Sequence, residues 1–251
     1  MTALTPDTVL LVFVLFCRIG GCLMFMPGFS SPRVPVQVRL FLAVAITLAL
    51  APVVVPTLQS SVRQMGAGAL APVIISETLT GSLIGLMGRF FYLALQFMGT
   101  SLAAFIGIGN TPGAPIEDNE PLPAVGTLIT MTATVMLFLA DQHWEVLRAL
   151  VASYGVLPVT EPFSAAFGTT RLTQSAADAF LLALQISSPF VVYSIIINLL
   201  FGIMNKLTPQ IPVYFISLPF VVAGGMAVLY FTAGEMLSLF ISGFTAWLAR
   251  G

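Results

Sequence analysis

Residues 179–212 read AFLLALQISSPFVVYSIIINLLFGIMNKLTPQIP, and their reading decides the fold. From Ala179 to Met204 there is no charged residue, and the run exceeds the roughly 20 residues needed to cross hydrocarbon. Ser187, Ser194, Asn198 and Asn205 are spaced by 7, 4 and 7 residues. At about 100° per residue they fall within about 40° of one helix face. Hydrocarbon cannot satisfy a polar stripe, so this face meets a helix or a water-filled lumen. A partner or lumen contact and a contact within the chain both fit that requirement. Past Met204 the sequence turns, because Pro209 and Pro212 bracket Gln210-Ile211. Asn205, Lys206, Thr208 and Gln210 then form a polar tip, and Ile211–Ala249 returns as a second apolar run. The pattern predicts a C-terminal helical hairpin.

Working outward, further apolar runs occupy Thr8–Pro27, Leu40–Pro56, Ala69–Ile116 and Ala124–Ala140. About six hydrophobic elements result. Ala69–Ile116 is too long for one span and is interrupted by Glu77, Arg89 and several glycines. It reads as one long or broken helix with a non-helical tail from Gly107. Bends are expected at Gly224-Gly225 and Gly234-Glu235 in the last run. The connections Met26–Arg39 and Asn110–Pro123 are rich in proline, and Asp141–Asp178 is a longer polar connection, partly helical. The fold class is all-α: a polytopic hydrophobic protein with broken helices and a C-terminal hairpin.

Composition supports the same class. Of the 251 residues, 58% are hydrophobic and 8% are charged, with a mean hydropathy of +1.02. A soluble domain carries about 25% charged residues. A chain with so few charges belongs in lipid or in a large hydrophobic assembly. A net charge of −1 gives no basic footprint for nucleic acid. Residues 1–8 hold Asp7 and no Lys or Arg, unlike the basic start of a removable signal peptide. Orientation is not encoded, since Arg33, Arg39 and Lys206 on one side face Arg63, Arg148, Arg171 and Arg250 on the other.

Catalytic chemistry has few residues to draw on. His143 is the one histidine, and the spacing of Cys17 and Cys22 is neither a redox nor a metal pair. Asp141 and Glu145 lie one turn apart beside Arg148, with Trp144 as an interfacial anchor. No phosphate loop, dinucleotide fingerprint or nucleophile elbow is present, so no enzyme activity, metal or cofactor is expected. The charges within apolar runs are Arg18, Glu77, Arg89, Asp178 and Glu235. Such residues face protein or water, either as structural pairs or along an ion path. Glu77 and Arg89, twelve apart, cannot pair within one helix. Gly81-x3-Gly85 permits close helix approach.

Several of these pieces resemble the FliR family of flagellar export-gate proteins, called SctT in injectisomes. The resemblance runs through Arg18-Ile19-Gly20-Gly21, Pro27-Gly28-Phe29, Val34-Pro35 to Arg39, and Glu77-x3-Gly81-x3-Gly85. It continues through Gln96-x2-Gly99, His143, Ser153, Pro158 and Pro189 to NKLTPQIPVYFISLP at Asn205–Pro219. It implies a non-enzymatic subunit in the inner membrane and flagellar basal body. Its implied partners are FliP-like, FliQ-like and FlhB-like subunits, around a conduit for unfolded flagellar proteins. It also implies a FliP-like portion at residues 1–178 and a FliQ-like hairpin at 179–251. The hairpin tip residues Asn205, Lys206, Pro209, Gln210 and Pro212 are the expected partner contacts, and Ser187, Ser194 and Asn198 make up the polar stripe. The family's plug loop maps to residues 105–120. Here Asn110-Thr111-Pro112 stands where the family often has an acidic-proline pair, and the acids come later as Glu117, Asp118 and Glu120. The plug is therefore placed at Phe105, Gly107, Gly109, Asn110 and Pro112. A virulence injectisome subunit and a stand-alone secondary transporter are the alternative functions.

Overall fold

The computed structural model describes residues 6–31, 34–62, 70–109, 122–210 and 213–250. Among them are seven helices and no strand: α1 Pro6–Phe25, α2 Val36–Val62, α3 Leu70–Phe105, α4 Ala124–Leu139, α5 Gln142–Val156, α6 Ala165–Leu207 and α7 Val213–Arg250. Five of these are long and apolar enough to cross a membrane. The pair α4 and α5, bent by 68°, adds a sixth broken element.

Local chemistry sets the boundaries. Pro6 opens α1 at the position where a missing N–H costs nothing, and Asp7 favours its positive end. Beyond α1, Phe29 N–H donates to the Met26 carbonyl at 3.3 Å with Gly28 at φ +85°, so Met26-Pro27-Gly28-Phe29 forms a type II turn. The next loop is tied to the start of α2 by Arg39. Its guanidinium donates to the Ser31 carbonyl at 2.7 Å and to the Val34 carbonyl at 3.0 and 3.1 Å. The helix break falls at Asp141, which adopts a left-handed φ of +56°.

Helix α7 runs as one element through Gly224-Gly225 and Gly234-Glu235, where the sequence suggested bends. The polar connection after Asp141 is mostly helical: α5 fills its first part, and α6 begins at Ala165, fourteen residues before the apolar run. The helical part expected of this connection is larger than its polarity implies, because Ala, Gln and Arg are good helix formers.

The chain divides into two compact units. One comprises Met1–Phe91, Asp141–Ala177 and Thr245–Gly251; the other comprises Tyr92–Ala140 and Asp178–Phe244. In the first, α1 packs against α2 and α3 around Leu15, Ile19, Cys22, Val54 and Leu83, all buried. Glycines let α1 and α3 meet backbone to backbone. A Cβ on Gly81 would lie 2.7 Å from the Arg18 carbonyl carbon, and one on Gly85 would lie 3.1 Å from that of Cys22. One on Gly88 would lie 2.7 Å from Met26 Sδ. The partners advance together along both helices, so α1 and α3 run parallel.

The second unit is centred on Leu102, Ile106, Ala133, Phe190 and Phe240, each at most 2% exposed. Gly99 and Gly126 bring α3 and α4 together, with a Cβ on Gly99 meeting Gly126 Cα at 2.8 Å. Here α6 and α7 form the expected hairpin. Tyr193 Oη donates to the Val221 carbonyl at 2.7 Å, and Leu182 sits against Gly243. Pairing of an early α6 residue with a late α7 residue makes the two helices antiparallel.

Candidate functional site

The first unit holds a buried charge cluster assembled from three helices. Arg18 on α1 and Glu77 on α3 have side chains 1% and 2% exposed. They pair bidentately, with Nε to Oε2 and Nη2 to Oε1 both at 2.6 Å. Nη1 also donates to Ser153 Oγ at 3.0 Å, and Nη2 to the Leu157 carbonyl at 2.8 Å. The guanidinium carbon lies 3.8 Å from the Tyr154 ring centroid. Between structural pairing and an ion path, the geometry realises structural pairing for these two charges. Their joining was within reach of the sequence. Arg18 and Glu77 each precede a small-residue face at one-turn spacing, Gly21-Cys22 on α1 and Gly81-Gly85 on α3. The roles of Tyr154 and Leu157 were not, because a ring face and a backbone carbonyl leave no pattern.

Beside the cluster, a cleft of about 420 Å³ is lined by Val53, Val54, Thr57 and Leu58 of α2 and by Tyr154, Gly155 and Pro158 among others at the end of α5. On the same helix Arg148 pairs with Glu145 at 2.5 Å, as their spacing suggested, in an exposed position. Exposed pairs of this kind contribute about 0–1 kcal/mol. Trp144 is exposed, in keeping with an anchoring role. Among the described residues no group of three His, Cys, Asp or Glu side chains could hold a metal ion.

In the second unit the polar stripe is graded along α6. Ser187 is buried and donates to the Ala183 carbonyl of its own helix at 2.7 Å. Asn198 is exposed, and its amide donates to the Ser194 carbonyl at 2.8 Å and to Ser194 Oγ at 3.1 Å. These bonds stay within the helix and glue it to no other element. The tip residues Asn205, Lys206, Pro209 and Gln210 are exposed, while Pro212 lies outside the described residues. Large apolar side chains are exposed along both arms: Ile196, Leu199, Ile203 and Leu207 on α6, and Phe215, Phe220 and Phe231 on α7. Only 17% of the most apolar window of α7 is buried, against 50% for α1.

The plug positions begin at the end of α3. Ile108 N–H donates to the Ala103 carbonyl at 2.9 Å and Gly107 N–H to the Ala104 carbonyl at 3.1 Å, with Gly107 at φ +83°. That is a Schellman cap, which satisfies the last carbonyls of the helix. Ile106 is fully buried against Gly225, whose added Cβ would meet it at 2.8 Å. Phe105 and Gly109 are half-buried. Gly107 therefore has a defined task, ending α3 against α7, beyond a general permissiveness. Asn110 and Pro112 lie outside the described residues.

Comparison with known proteins bears on the whole chain. The sequence pattern of the family described as bacterial export proteins, family 1, matches residues 9–247. The flagellar biosynthetic protein FliR of Caulobacter vibrioides is 27% identical over 227 residues, covering 90% of this chain and 89% of that protein. The flagellar biosynthetic protein FliR of Escherichia coli is 25% identical over 205 residues, covering 81% and 76%. The protein of the same name from Aquifex aeolicus is 24% identical over 236 residues, covering 91% and 88%.

Proposed function

The chain belongs to the bacterial export proteins of family 1, the FliR family, and on that premise we propose that it forms part of a conduit for unfolded flagellar proteins. It is a membrane protein of the flagellar export apparatus. In the proposed assembly it combines with FliP-like and FliQ-like subunits, and with an FlhB-like subunit, in the inner membrane at the flagellar basal body. Residues 1–178 act as the FliP-like portion and 179–251 as the FliQ-like hairpin. Energy for transport comes from other components, and this chain supplies walls and contacts without catalysing a reaction.

The observation that supports this reading best is the outer surface of α6. Asn198 is exposed between the exposed apolar residues Ile195, Ile196, Leu199 and Leu200. An amide at that depth is costly against hydrocarbon and inexpensive against a polar group or water. A neighbouring subunit satisfies both the amide and the apolar residues around it, whereas a wet lumen would satisfy the amide alone. The plug is assigned to Phe105–Pro112, where the chain leaves the Schellman cap of α3. In its described part, residues 106–109, the chain has left the helix with Ile106 against Gly225 of α7, and non-helical backbone of this kind is tolerated where protein or a cavity surrounds it.

Removing the gene from its host tests the function. The expected result is cells without filaments that regain swimming when the full chain is restored. Filaments assembled normally without the gene would contradict the proposal. Shortening residues 109–112, which leaves both cap bonds in place, is expected to make the assembled gate leak small ions. A gate as tight as wild type would remove the plug assignment.

A further inference from the structure

The Arg18 guanidinium is shared between two tasks. One edge, Nε and Nη2, holds the Glu77 carboxylate, and the remaining donors reach the end of α5. That end needs a partner. Leu157, at φ −124° and ψ 81°, has left the helix, and Pro158 follows with no N–H to continue it. The last carbonyls of a helix have no partner within it and carry partial negative charge, which a cation can satisfy. Here the cation comes from another helix. Arg18 donates to the Leu157 carbonyl, binds the Ser153 hydroxyl one turn earlier, and presents its flat face to Tyr154 between them. Arg18 is the thirteenth of the twenty residues in α1, so the irregular backbone at Leu157 lies level with the interior of an apolar helix.

We infer that Arg18 is a positioning residue that caps α5 in trans and fixes where the chain turns from α5 toward α6, with Glu77 orienting the guanidinium for that task. A plain ion pair would not require this arrangement. Buried pairs contribute little net stability relative to apolar replacements, whereas an uncapped helix end at this depth leaves carbonyls without donors. The α1–α3 contact has its own basis in Gly21, Gly81 and Gly85 and persists without the pair. The same α5 residues, Tyr154 and Gly155, form one wall of the cleft against α2, so the cap also sets that wall.

Amide hydrogen exchange on the full-length chain, extracted in detergent, separates capping from charge neutralisation. In the double variant Arg18→Met with Glu77→Met, no charge is left unpaired. Helix content and protection of α1 are expected to stay as in wild type. Exchange across residues 153–161 is expected to rise by about tenfold, the size of a lost hydrogen bond to a charged group. Arg18→Lys provides a second reading if the double variant does not fold. An ammonium still neutralises Glu77 but lacks the planar fork needed to bridge it to Leu157, so the same local rise is expected. Glu77→Gln keeps an acceptor for Arg18 and is expected to leave the segment protected. Wild-type protection of residues 153–161 in Arg18→Lys or in the double variant would overturn the inference. So would a rise in Glu77→Gln as large as that in Arg18→Lys, because the effect would then belong to the ion pair alone.

Discussion

Substituting Gly81 by alanine adds one methyl group at the point where α1 and α3 touch. The new Cβ would lie 2.7 Å from the Arg18 carbonyl carbon and 2.9 Å from its Cα. Carbon atoms rest at about 3.5–4.0 Å, so the helices must part by roughly 1 Å. Backbone atoms supply this clash, and no flexible side chain can move aside. The nearest polar consequence is one turn away. The Arg18–Glu77 bonds, now 2.6 Å, would stretch to about 3.6 Å, where a hydrogen bond is no longer made. Overpacking costs about 1–3 kcal/mol, and loss of a hydrogen bond to a charged group costs about 1.5–3 kcal/mol. Some relaxation returns part of that cost, so a loss of about 3 kcal/mol is expected.

A protein of this length shifts its Tm by about 2–4 °C per kcal/mol, which gives a fall of about 6–12 °C. The chain carries its own reporter: Cys22 is buried on α1, its carbonyl facing Gly85. A thiol-reactive dye followed during heating, with the half-buried Cys17 replaced by serine, therefore reads the separation of these helices. Gly234→Ala is the control, because a Cβ there meets nothing within 4 Å, and alanine in a helix interior is favourable by about 1 kcal/mol. If Gly81→Ala melts within a degree of wild type, the backbone contact between α1 and α3 does not hold the first unit together and the reasoning fails.

Gly107→Ala places a side chain at φ +83°, a left-handed conformation that costs a non-glycine residue roughly 1–2 kcal/mol, although its Cβ would have room at 3.5 Å from Val221. The expected fall in Tm is a few degrees, and Gly107→Asn should lose less than Gly107→Ala in the same melt. Tyr193→Phe removes the hydroxyl that donates to the Val221 carbonyl and is expected to cost about 0.5–1.5 kcal/mol. Urea unfolding of the purified chain measures it, and an unchanged midpoint would mean that this bond does not join the hairpin arms.

Where the sequence was legible, a single physical rule dominated. Apolar runs of span length became α1, α2, α4, α6 and α7, and the Pro209-Gln210 turn became the hairpin tip. The rule failed where lipid-style reasoning met polar helices. Residues 142–178 read as a polar connection that is partly helical, and their helix formers carry α5 and the start of α6 through most of it. Bends were expected at Gly224-Gly225 and Gly234-Glu235; within α7, Gly224 makes room for the Tyr193 ring and Gly225 for Ile106. A glycine in a long helix marks a close neighbour as readily as a bend, and sequence alone does not tell the two apart. The charge cluster was half legible. Arg18 and Glu77 stood out as charges in apolar runs, but their partner Leu157 contributes a carbonyl, which every residue possesses.

The central claim is that this chain acts as one subunit of a multi-subunit gate, with the outer faces of α6 and α7 covered by other proteins. Native mass measurement on the tagged chain, extracted gently from cells making the whole export apparatus, tests it most directly. The account predicts a complex containing FliP-like and FliQ-like subunits, which Asn198→Arg, placing a charge on the exposed α6 face, disperses. A homogeneous monomer, free of other subunits and stable in detergent, would contradict it.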